Sequence, residues 1–124
     1  MSSNHKAGEF FIEAISIVTQ AGEVVDITKI VNNFRMYESI YEMFTSADIS
    51  VVDGVNLLKN FEIVGQENVR ISVRQKEGLE DKSDNSQSID RTFRIYKIHN
   101  IQRINETTQA YQFLCQDPRM MQVQ

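Results

Sequence analysis

Four carboxylates, Asp48, Asp53, Glu62 and Glu67, fall close together in this chain. Paired acids can serve as general acid and base when both face one cleft. Nothing in their spacing fixes such a cleft. Asp53 stands directly before Gly54 and a short apolar run, where an acid caps a helix or closes a turn. The histidines, His5 and His99, have no second His or Cys at metal-ligand spacing such as C-x-x-C or H-x-x-x-H. His5 falls in a polar arm and His99 inside a strand pattern. Cys115 would need a histidine base within reach to act as a nucleophile. Between Leu114 and Gln116 on a strand it reads instead as a small core or surface residue. No Walker-type, dinucleotide-binding or nucleophile-elbow glycine motif occurs. The expectation is a non-enzyme, with no catalytic, cofactor-binding or metal-binding residues to assign.

The elements that would position any site are mostly strands. Residues 1–8 are small and polar and read as a flexible arm, followed by one domain over 9–124. FFIEAISIVTQ, rich in β-branched and aromatic residues, leads through Ala21-Gly22-Glu23 into VVDITKIVNNFRMY, a pair expected to form a hairpin. Val25, Ile27 and Val31 share one side of the second strand. MYESIYE reads as a loop or bulged bend, and FTSADISVVD as a strand of period two. VNLLKNF is the best helix candidate, with Val55 and Leu58, and more weakly Leu57, facing the core. In ENVRISVRQ, Val69, Ile71 and Val73 alternate with Arg70, Ser72 and Arg74, giving one buried and one wet face. RTFRIYKIHNIQRIN and AYQFLCQ, joined by ETTQ, make a second hairpin. DPRMMQVQ shows no usable pattern. With one Pro and five Gly, hard breaks are few. The fold class is therefore mainly β, an antiparallel sheet or β-barrel with one short flanking helix and a long exposed loop over 76–90.

The chain carries 13 basic and 17 acidic side chains, a net charge of −4. That balance argues against nucleic acid as a principal partner, because phosphate binding needs clustered cations. Arg91, Arg94, Lys97 and Arg103 are a partial exception, spread along one segment. One Cys excludes an internal disulfide framework and suits a reducing compartment. No apolar run approaches the ~18–20 residues of a membrane span. MSSNHKAGEFF lacks a charged-then-apolar leader, so cytoplasmic synthesis is expected.

Two regions offer contact surface. Met36, Tyr37, Tyr41, Met43 and Phe44 form an aromatic and sulfur-rich cluster, of a type that serves either core packing or interfaces. The loop that includes Lys76, Glu77, Leu79, Asp81 and Asp84 is long and polar, as binding elements often are.

The middle of the chain resembles a known family. A strand leads into MYESIYE, a second strand ends in VVDG, a short LL-containing helix follows, and FEIVGQENVRISV closes the run. This is similar to the N-terminal tube-like domain of baseplate hub proteins from T4-like contractile phage tails. Asp53 matches an aspartate before the helix, and Ile63, Gly65 and Glu67 match an I-x-G-x-E pattern entering an alternating strand. The likeness covers about residues 9–116, although family members are usually longer and carry further domains. It implies a phage tail-tube-like β-barrel in a structural virion protein of the tail baseplate, assembled in the host cytoplasm. The implied partners are further copies in a trimer or hexameric ring, tail-tube and spike proteins, baseplate wedge proteins, and DNA only as passing cargo. An acidic channel lining, past which DNA could slide, would fit the negative charge. The competing expectation is a soluble β-barrel adaptor that binds a peptide or small ligand in an apolar pocket.

Overall fold

In the computed structural model, residues 10–38, 44–75 and 88–121 are described. Seven strands form one antiparallel sheet: β1 (Phe10–Val18), β2 (Val24–Asp26), β3 (Val31–Glu38), β4 (Phe44–Asp53), β5 (Asn68–Gln75), β6 (Ser88–Arg103) and β7 (Gln109–Gln116). Two one-turn helices, α1 (Leu57–Asn60) and α2 (Pro118–Met121), follow β4 and β7. The spatial order is β2-β1-β5-β6-β7-β4-β3. The mainly β, antiparallel, barrel-like class read from sequence is the one found, as a curled half-barrel.

The curl follows from one short link. β2 and β3 lie at opposite edges of the sheet, yet only residues 27–30 join them. Four residues span no more than roughly 15 Å, so the two edges must approach each other there. VVDITKIVNNFRMY is thus two strands rather than the one expected. The break is made by Asp26 and Thr28. Asp26 accepts hydrogen bonds from the Thr28 amide and hydroxyl, which hold its carboxyl below the usual range. The Thr28 hydroxyl oxygen in turn accepts the Ile15 amide at 2.9 Å, and Ile27 N–H donates to the Ile15 carbonyl at 2.9 Å. Residues 28–30 turn tightly and touch β1 on one side and β4 on the other.

Alternation then sorts the two faces. Ile15, Ile17, Val69, Ile71, Val73, Phe93, Ile95, Phe113, Cys115, Ala47 and Ile49 point into the curl and are buried. The second expected hairpin is present as β6 and β7. β6 is shared: it pairs with β5 from Ser88 to Arg94 and with β7 from Arg94 to Arg103. Register shifts after Ile95 and after His99, with Asn100 at φ 59°, bend it between the two ladders.

Several boundaries differ from the sequence reading. Met36, Tyr37 and Glu38 continue β3 instead of starting a loop, because Met36 is fully buried in the core. The loop expected over 76–90 ends earlier, since Ser88 pairs with Arg74 and Ile89 packs on the core. Leu57, not Val55, is the buried residue of α1; Val55 is 60% exposed. The C-terminal segment without a pattern starts α2. The arm over 1–8 lies outside the described residues.

Candidate functional site

The two acids singled out at Asp53 and Glu67 are buried, and both are occupied by main chain. Asp53 ends β4 on its inward side. Its Oδ1 accepts the Val55 amide at 2.8 Å, and its Oδ2 accepts the Leu57 amide and the Tyr111 hydroxyl, each at 2.8 Å. Asn56, at the start of α1, lies in the left-handed region at φ 56° and supplies no side-chain cap; Asp53 satisfies the helix amide from three residues further back. This geometry turns Val55 outward and Leu57 inward. Burial, and then the bond to Asp53, push the Tyr111 phenol far above its ordinary value. Tyr111 stays a donor. Its ring meets Phe113 edge-on at 5.3 Å.

Glu67 is 1% exposed. Its carboxylate accepts the amides of Val64, Gly65 and Gln66, each at 2.9 Å. The Glu67 carbonyl accepts Ile95 N–H at 2.8 Å, tying this loop to β6. Gly65 is required by its φ of +97°, not by lack of space. Asp48 sits on the opposite, outward face, where it accepts the Tyr37 hydroxyl at 3.0 Å, and Glu62 is exposed. These four acids do not converge on one cleft.

A third buried acid was missed in the sequence. Asp117 bridges Arg91 and Arg119, each at 2.8 Å. The Arg91 guanidinium also donates to the Phe44 carbonyl at 2.8 Å and stacks over Phe93 at 5.3 Å. Asp117 accepts the Arg119 amide at 2.9 Å while its own amide binds the Thr45 carbonyl. The available signal was Asp117-Pro118 itself: a capping acid followed by proline at the first helical position. Hydrogen bonds from Arg119, with the Arg91 charge nearby, hold the Asp117 carboxyl at about 2.

Cys115 is buried, and burial raises its thiol well above the ordinary range, so it is a poor nucleophile. His99 is exposed on β6. Among the described residues no group of three His, Cys, Asp or Glu could hold a metal, and no helix is long and apolar enough to cross a membrane.

Of the expected contact residues, Met36 is core and offers no surface. Tyr37 and Phe44 are half-buried, with Phe44 packed against the core. Tyr41, Met43, Lys76, Glu77, Leu79, Asp81 and Asp84 lie outside the described residues. What the structure does present is the outer face of the sheet. Among the described residues β3 pairs with β4 over an eight-residue strand, and β2, at the other end of the strand order, has three residues. The outer face is polar and mixed in charge: Arg35, Arg70, Arg74, Arg94 and Lys97 stand on it with Glu13, Asp26, Asp48 and Asp90. A cleft of about 420 Å³ lies between the start of α1 and the β6–β7 turn, lined by Asp53, Val55, Asn56, Arg103, Glu106 and Gln109.

No family model matches this chain, and no curated protein or solved structure matches it significantly.

Two outcomes follow for stability. Asp53→Ala strands the Tyr111 hydroxyl and two amides, at a cost of about 3 kcal/mol or more in urea unfolding, against less than about 1 kcal/mol for Asp48→Ala. The Asp117 pair acts through pH. Its folded value is depressed, so its stabilisation is complete above the ordinary 3.8 and is lost as pH falls toward about 2. The gap in Tm between the wild type and Asp117→Asn should therefore narrow across that window. A gap that stays constant would separate Asp117 from the ion pair.

Proposed function

We propose that this chain is a structural subunit of a contractile phage tail, a baseplate hub or tube-initiating ring that links the tail tube to the central spike. The observation that carries the reading is the role of the residues behind the family likeness. Asp53, Ile63, Gly65 and Glu67 act together as one framework unit: Asp53 and Glu67 bind the main chain at either end of the α1 connection, while Ile63 is buried between them. A pattern kept for framework reasons is what a shared fold would leave, and its acids are not available for chemistry. In this reading the partners are further copies in a trimer or hexameric ring, the tail-tube, spike and wedge proteins, and DNA as passing cargo.

The polar cleft beside α1 favours a second reading, a soluble adaptor holding a peptide or small ligand. Its charged side chains, Asp53, Arg103 and Glu106, in place of a mainly apolar lining make that the weaker reading.

Light scattering of the purified chain across a concentration series separates the two. The hub reading expects a trimer or hexamer to accumulate with concentration. A strict monomer at every concentration contradicts homomeric ring formation and favours the adaptor.

A further inference from the structure

We propose that the α1 end of the sheet is a docking face for the same end of a second copy of this chain, the two meeting about a two-fold axis. The contact runs along the strand direction, so it neither requires the ring nor replaces it.

The strand directions gather this face. β1 ends and β5 begins in the pair Val18 and Asn68. Asp53, the last residue of β4, lies opposite Gln109, which lies opposite Arg103 at the end of β6. The connections 19–23, 54–67 and 104–108 therefore leave and re-enter the sheet at one end. Of the seven large apolar side chains exposed among the described residues, Val24, Val55, Val64, Ile101 and Ile104 belong to that end, each more than half exposed. The segment between α1 and β5 passes along β6. The Glu67 carbonyl takes the Ile95 amide, Gly65 lies against Ile98, and Val55 shares a cleft with Arg103, so Val64 and Ile101 fall along one seam.

These side chains are held out on fixed main chain. The Asp53 carboxylate binds the Val55 amide at 2.8 Å, and the Glu67 carboxylate binds the Val64 amide at 2.9 Å. The Ile104 amide donates to the Thr108 carbonyl at 2.8 Å. Ile101 follows Asn100, at φ 59°, within the second register shift of β6. Anchors fixed before contact lose little conformational freedom on binding. Exposed aliphatics scattered singly are ordinary, but five at one end, set among polar groups, have the make-up of an interface.

The charges at this end choose the occupant. Its connections, with Arg103 and the adjoining residues 26–30, expose Lys29, Lys59 and Arg103 against Glu23, Asp26, Glu62 and Glu106. That leaves one negative charge of the chain's four, so two such faces repel little. A two-fold contact is self-complementary, and each sign on one copy finds its opposite on the mate. An anionic bilayer is a poorer occupant, because four acids would face its headgroups.

The test is sedimentation equilibrium of the whole chain over a concentration series reaching about 1 mM. The wild type should self-associate, and Val64→Ser/Ile104→Ser should weaken that association at least about tenfold, the loss expected for two aliphatic anchors. Phe11→Ser, which removes an exposed apolar side chain at the opposite end of β1, should change it by no more than about twofold. Far-UV circular dichroism checks the fold; if the first pair disturbs it, Val55→Ser/Ile101→Ser is expected to act in the same direction. A dimer that grows no further and is lost in the Ser pairs would support this face while contradicting the ring. Association that the Ser pairs leave unchanged would overturn the proposal and leave the ring standing. A wild type monomeric throughout would overturn both. Binding to vesicles of mixed zwitterionic and anionic lipid, lost in the Ser pairs, would assign the end to a bilayer and overturn the proposal as well.

Discussion

One strand serving two ladders is the constraint on which the rest of the structure depends. β6 gives its first half to β5 and its second half to β7, so among the described residues each half has one side that no strand pairs. Unpaired main chain beside a core must find other partners. The connection after α1 lies along the second half, where the Glu67 carbonyl takes the Ile95 amide and Gly65 lies against Ile98. The turn after β7 lies along the first half, where Asp117 takes the Arg91 guanidinium. Both connections are held in shape by a buried carboxylate that binds its own local amides. The cost of burying charge is offset only because those amides and guanidinium groups are in place.

The same logic closes the ends of the core. Asp53 with Tyr111 sits at the α1 end, and Arg91 over Phe93 at the other. Asp53 and Glu67, two of the acids weighed for catalysis, are therefore framework, and so is Asp117. Asp53, Glu67 and Asp117 are committed to main chain and ion pairs, while the outer face of the sheet and the cleft beside α1 lie at the surface.

Much of this was legible in the residues. Alternation in β5 fixed both its faces, the Gly22 turn and the ETTQ reversal marked the two hairpins, and Asp53 before Gly54 marked a cap. The break between β2 and β3 was not, because VVDITKIVNNFRMY keeps a strand-like alternation through a turn set by one Asp and one Thr side chain. Met36 looked like interface because its neighbours are aromatic, and only the register of β3 against β4 shows it facing inward. The grouping of charges on the outer face was invisible for a related reason. Arg35, Arg70 and Arg94 are dispersed in sequence, and pairing partners separated by tens of residues bring them onto one surface.

The central claim, that the chain is built to assemble into a ring, is tested most directly by electron microscopy of the concentrated protein at low salt. The account predicts closed particles with threefold or sixfold symmetry. Isolated single copies, or open filaments that never close, would contradict it.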